Sequence, residues 1–133
     1  MLRAVADTHA LIWYTFGDPR LSVAAKFVFE AAEANQHQIA FSSITFVEVA
    51  YLIEKGRLAQ PIWSGLLKAV SDPNSIFIEV PVDRAIALTL RQVPRSAVPD
   101  MPDRIIAATA LHLGVPLISR DRRISLSAVA TVW

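Results

Sequence analysis

Four acidic residues in this chain occupy positions where carboxylates could do chemistry. Asp7 closes the run from Leu2 to Ala6, apolar except for Arg3, and Asp121 follows a second apolar run in Ser119-Arg120-Asp121. Asp103 opens the most apolar segment of the chain, and Glu48 lies near the start of the segment Thr45 to Glu54. Each has an ordinary explanation by itself. Asp7 can cap a helix beginning at Thr8, and Asp100-Met-Pro-Asp103 and Thr45-Phe-Val-Glu48 both fit capping arrangements. Asp121 can be a turn acid balanced by Arg120, Arg122 or Arg123. In combination they are harder to explain away. Two carboxylates about 4 Å apart repel by roughly 4 kcal/mol at an effective dielectric near 20, so four in one place require protons or a divalent cation. Oxygen-only ligands in a chain without cysteine favour Mg²⁺ or Mn²⁺ over Zn²⁺.

Whether they meet depends on the elements that carry them. Leu2 to Ala6 reads as a buried strand, followed by a short apolar helix over Thr8 to Phe16 that Gly17-Asp18-Pro19 halts. Ser22 is a candidate N-cap for a helix through Ala34, with Phe27 and Ala31 at i, i+4 spacing. Gln38 to Ser42 is a second strand. Over Thr45 to Glu54, Phe46, Val49, Ala50 and Ile53 form the core stripe of a helix whose polar side carries Glu48, Tyr51 and Lys55. Pro61 starts another helix, reaching Ser71, and Ser75 to Val80 alternates as a third strand. Asp83 to Gln92 is predicted helical, with Ala85, Leu88 and Thr89 on one side, and Pro94 to Pro102 is a loop. Asp103 to Leu113 forms an apolar helix closed by Gly114, Val115 to Ser119 a fourth strand, and Val129 to Trp133 a fifth. Strands alternating with helices imply a three-layer α/β/α sandwich around a mostly parallel sheet of four to five strands. Ligands bind outside the carboxyl ends of such strands, which is where Asp7 and Asp121 stand.

The chain has 133 residues, 53% of them hydrophobic and 19% charged, which fits one domain over 1–133 and excludes a disordered chain. A net charge of +1 excludes nucleic-acid binding by bulk charge. The charges near the N-terminus do not suit a signal peptide, and the uncharged stretch Ile105 to Ser119 is too short and too broken to span a bilayer. A soluble cytoplasmic protein without membrane partners is expected. Charge is uneven: residues 1–83 carry a net −3 and residues 84–133 a net +4, every cation of the latter being arginine. Arg104, Arg120, Arg122 and Arg123 flank two of the acids, and are candidates either to position phosphates or to balance Asp103 and Asp121.

Five blocks taken together resemble the PIN-domain family, and within it the VapC-type toxins of bacterial toxin–antitoxin systems. They are Asp7-Thr-His-Ala-Leu-Ile-Trp13, Asp18-Pro-Arg-Leu-Ser22, Ser42-Ser-Ile-Thr-Phe-Val-Glu48-Val-Ala50, Pro102-Asp103-Arg-Ile-Ile-Ala-Ala-Thr-Ala110 and Leu117-Ile-Ser-Arg-Asp121. The resemblance implies a PIN-like fold and an acidic site of Asp7, Glu48, Asp103 and Asp121 that binds Mg²⁺ or Mn²⁺ and cleaves RNA phosphodiesters. Glu48 would act as a ligand or as the base that orients water. Asp100 lies outside the family pattern, which asks for the acid just ahead of Arg104. Ser119 matches a Ser/Thr position that supports a ligand by a hydrogen bond. The implied partners are an RNA substrate, a VapB-type antitoxin whose C-terminal segment occupies a groove near the acids, and a second copy in a homodimer. Trp13, Tyr14 and Phe16 are core residues by default and groove residues if the resemblance extends that far.

Other chemistries compete. A metal-free ribonuclease needs facing imidazoles drawn from His9, His37 and His112. A non-catalytic RNA- or protein-binding module could keep the acids as a structural metal site. A small-molecule phosphatase is disfavoured, since no Gly-rich phosphate loop is present.

Overall fold

The structure is a computed structural model that describes residues 1–125 and 127–133. Five strands form one parallel sheet, β1 (Leu2–Ala6), β2 (Gln38–Ser42), β3 (Phe77–Val80), β4 (Leu117–Ile118) and β5 (Thr131–Val132), in the order β3-β2-β1-β4-β5. Between them run α1 (Thr8–Thr15), α2 (Val23–Ala34), α3 (Ile44–Glu54), α4 (Pro61–Ser71), α5 (Arg84–Leu90), α6 (Met101–Leu113) and α7 (Arg122–Ser125). The three-layer sandwich expected from the sequence is the architecture observed. Among the described residues, no helix is long and apolar enough to cross a membrane.

Side chains alternate across a strand, and the apolar strands here divide accordingly. Ala4, Ala6, Ile39, Phe41 and Ile118 face one core with Leu11, Phe29 and Leu66. Val5, Ala40 and Leu117 face the other, with Ile86, Ile106 and Ile124. Burial on both faces explains why Ala4 to Ala6 of β1 and Ile39 to Phe41 of β2 read as continuous apolar runs rather than alternating ones. The alanines of α6, Ala107, Ala108 and Ala110, are fully buried, so this helix approaches the sheet closely.

Local rules account for most helix ends. Asp7, Ser22, Asp83 and Asp100 each accept an N-terminal amide of the following helix. Gly114, at φ 67°, supplies the left-handed residue that ends α6.

Several expectations are corrected. The helix α6 begins at Met101, because Asp100 caps it and Pro102 is tolerated in a first turn. The Thr45–Glu48 capping box does not form. The helix α3 already starts at Ile44, Thr45 is fully buried, and its hydroxyl lies 3.1 Å from that of Thr8. Phe27 and Leu88 point outward, since Phe29 and Ile86 take the core positions of α2 and α5. Strands β3, β4 and β5 are shorter than predicted, and α7 occupies a stretch to which the sequence pattern assigns no element.

Phe29 is fully buried and stacks on Tyr14 at a centroid distance of 4.2 Å. Urea denaturation of Phe29→Ala is expected to show a loss of about 3–5 kcal/mol, the usual cost of emptying such a site.

Candidate active site

The site lies where the strand order turns back on itself. From β1 the chain leaves through α1 towards β2 on one side, while β4 lies on the other side of β1, a switch point that opens a crevice at the carboxyl ends of the strands. The register Val5↔Leu117 and Ala6↔Ile118 places Asp7 and the segment 119–121 next to each other, and the Asp7 amide donates to the Ile118 carbonyl at 3.1 Å. The helices α3 and α6 bring their N-terminal parts to the same edge. Asp7, Glu48, Asp103 and Asp121, the four acids singled out from sequence, line one pocket of about 360 Å³.

Each acid is held differently. Asp7 caps α1, accepting the Ala10 amide at 2.8 Å. Burial pushes its carboxyl above the ordinary range, and Asp121 pushes it further, while the Ser119 hydroxyl, the Ala10 amide and His9 pull it back. Glu48 is also raised, first by burial and then by Asp100 and Asp7, against the Thr8 hydroxyl and His9. Its Oε1 is buried with no hydrogen-bond partner among the described residues. Asp103 is pushed up to about 7, by burial first and then by repulsion from Asp100, Glu48, Asp121 and Asp7. Asp121 sits in a turn that Ser119 supports: the Ser119 hydroxyl accepts the Asp121 amide at 3.1 Å, and Asp121 Oδ1 accepts the Arg123 amide at 2.8 Å. The buried Ser119 thus touches two of the acids.

Among the described residues no ion pair relieves this repulsion. Among the described residues the ion pairs are Arg20–Asp18 and Lys26–Glu30, neither in the pocket. Nor do any three acidic or histidine side chains, among the described residues, stand close enough to close on an ion as they are. The arrangement is an open acidic pocket rather than a closed cage. An orphaned Glu48 oxygen and three carboxyls raised by burial and mutual repulsion are nevertheless the donor set that a hard divalent cation satisfies.

The arginines divide. Arg120 lines the pocket, its guanidinium carbon 4.6 Å from the centroid of a Trp13 ring. Arg122 and Arg123 are exposed on α7 and do not line it. Arg104 is a correction: its Nε donates to the Val93 carbonyl at 2.7 Å and its Nη2 to the Leu90 carbonyl at 3.1 Å. Leu90 ends α5 and Val93 lies in the turn after it, so the planar fork ties this segment to α6 and Arg104 is not free for phosphate.

Four lining residues were not assigned to the site from sequence: His9, Trp13, Asp100 and Trp133. His9 and Trp13 share α1 with the Asp7 cap, and that spacing was the available signal. The Trp133 ring reaches the pocket through tertiary packing, 5.8 Å from Trp13. The histidines do not face one another. His9 is at the pocket, His37 accepts Arg3 Nε at 2.9 Å just before β2, and His112 lies in the last turn of α6.

A family model described as the PIN domain matches residues 4–130. Over 126 residues the chain is 32% identical to Ribonuclease VapC22 of Mycobacterium tuberculosis (strain ATCC 25618 / H37Rv), covering 93% of this chain and 91% of that protein. A toxin-antitoxin complex from Klebsiella pneumoniae is similar at a TM-score of 0.66 and 27% identity, covering 98% of this chain and 96% of that one. VapBC2 from Rickettsia felis, crystallised bound to a DNA fragment from their promoter, shares the fold at a TM-score of 0.72 and 15% identity, covering 98% and 97%.

Between the ordinary value of 3.8 and about 7, the folded chain binds the Asp103 proton more tightly than the unfolded chain does. Metal-free stability therefore falls as pH rises through that window. In thermal melts without divalent ions, Asp103→Asn is expected to exceed the parent by about 1–2 kcal/mol at pH 8 and to match it near pH 4, the gain being limited by partial hydration of the carboxyl. Arg104→Ala is expected to lose about 1–3 kcal/mol, with the Val93 carbonyl left without its donor while Leu90 keeps the Val93 amide.

Proposed function

Because the chain belongs to the PIN-domain family, we propose that it is a Mg²⁺- or Mn²⁺-dependent endoribonuclease acting as the toxin of a VapBC-type toxin–antitoxin pair. One observation carries the reading: four acids from four separate segments of the chain line a single pocket in which no basic side chain forms an ion pair with them, among the described residues.

Asp7, Asp103 and Asp121 are the ligand carboxylates in this reading, with Glu48 beside them. Bound there, the ion polarises a phosphate and lowers the pKa of water. The chain's own residues do the rest. Ser119 and the Ala10 amide fix the orientation of Asp7. Glu48 Oε1, which has no hydrogen-bond partner among the described residues, accepts the proton of the attacking water. Arg120, stacked on Trp13 at the rim, holds the phosphate against the repulsion of the acids, and Arg122 and Arg123 supply phosphate contacts further out. Hydrolysis breaks the bond from phosphorus to the 3′ oxygen, leaving a 5′-phosphate and a 3′-hydroxyl. The ribonuclease relative and the toxin-antitoxin complex support an RNA substrate and a VapB-type antitoxin partner. A homodimer and a cytoplasmic location complete the proposal.

Asp7→Asn keeps an acceptor for the α1 cap and removes a ligand charge. It is expected to melt like the parent and to cut no RNA. EDTA is expected to abolish cleavage by the parent, and added Mn²⁺ to restore it. Full cleavage in EDTA, or by Asp7→Asn, would overturn the assignment, and metal and RNA binding without turnover would instead point to a non-catalytic module.

A further inference from the structure

A second, larger cavity of about 930 Å³ opens directly from the acidic pocket, with which it shares His9, Glu48 and Asp100. It runs along α3, and its character changes with distance from the acids. Phe46, Tyr51 and Trp63 line its length, and Lys55 and Arg57 line its far end with one acid, Glu54, beside them. Tyr51 is 57% exposed, with Lys55 Nζ 4.5 Å from its ring centroid. Seven residues of helix separate Glu48 from Lys55, about 10 Å at ~1.5 Å per residue, which is the length of about three stacked nucleotides at ~3.4 Å each. Aromatic faces interleaved with cations are the general means of holding single-stranded nucleic acid, each stacked base adding affinity without need of sequence.

We propose that this groove holds the single-stranded RNA flank on one side of the scissile phosphate, with Tyr51 as a stacking platform and Lys55 and Arg57 taking a phosphate about three nucleotides away. The proposal rests on the ribonuclease reading of the acidic pocket and deepens it: the substrate is unpaired RNA reaching at least that far past the cut. The continuity of the two cavities at Glu48 and His9 identifies the occupant, since a strand positioned for cleavage must leave the acids by some path. Two cations against the single acid Glu54 leave the far end net positive, at a distance from the catalytic acids that matches the spacing of the strand's own charges. Tyr51 and the two cations act as positioning residues, because none of them reaches the reacting phosphate.

The test uses the full chain and single-stranded oligoribonucleotides with one or four nucleotides on either side of a cleavable site. Tyr51→Ala and the Lys55→Ala/Arg57→Ala pair lie on the exposed surface, and melts check that they fold. The expected results are a KM raised roughly 5- to 100-fold with kcat little changed, recovery in Tyr51→Phe, and no remaining advantage of the four-nucleotide flank. Anisotropy of a labelled oligonucleotide on metal-free protein measures the same loss of binding without relying on turnover. If the parent binds RNA through Tyr51 but never cuts it, the ribonuclease reading fails and the groove stands. If the variants bind and cut as the parent does, the groove proposal is overturned while the ribonuclease reading stands. Variants that keep RNA affinity but lose inhibition by a partner protein would also overturn it, assigning the groove to a protein segment. Equal affinity for a fully paired duplex would overturn it as well.

Discussion

The whole arrangement is governed by the electrostatic cost of gathering carboxylates. Burial raises Asp7, Glu48 and Asp103, and repulsion from neighbouring acids adds to each. A chain folding without its partners has to offset that cost from its own backbone, and the sheet edge makes this possible. The Ala10 amide meets Asp7, the Arg123 amide meets Asp121, and the Ser119 hydroxyl contributes to both. Glu48 is left with an oxygen that nothing among the described residues satisfies. The site is therefore organised but incomplete, which is the condition in which an acidic pocket favours a cation.

The rest of the fold follows from the need to present those groups at one edge. A parallel sheet buried on both faces brings the ends of β1 and β4 together, and two apolar layers keep it rigid. Within this frame α1 has two duties. Its first turn anchors Asp7, and its later residues provide the Trp13 ring beneath both Arg20 and Arg120. Arg20 is committed to Asp18 through a bidentate contact, whereas Arg120 reaches the pocket. A buried aromatic thus holds a guanidinium ready at the rim of a negatively charged site.

Much of this was legible in the sequence, for local reasons. Apolar runs bounded by Gly, Pro and acids located the strands, and the acids at their carboxyl ends stood out because such strands tolerate few charges. What escaped were features decided across the fold. Thr45-Phe-Val-Glu48 matched a capping pattern, yet Thr45 is used inside the protein beside Thr8, 37 positions away in the chain. Leu88 and Phe27 look like core residues until packing favours Ile86 and Phe29. The family's pattern asks for Asp103 and leaves Asp100 unassigned, but a capping residue can also face a cavity, and Asp100 does both. Trp133, at the far end of the chain, meets the pocket only because β5 joins the sheet beside β4.

Asp103 and Arg104 are consecutive, but they face different problems. One points into the acidic pocket, and the other ties the end of α5 to α6 by gripping the Leu90 and Val93 carbonyls. If the chain is the toxin proposed above, a genetic screen for cells that survive its production would return mutations at both positions with the same phenotype. At the first the chemistry would be missing from an intact molecule, and at the second the molecule itself would be scarce. Adjacent hits of equal strength would then invite a single motif where there are two separate causes, and only protein abundance measured alongside survival would tell them apart.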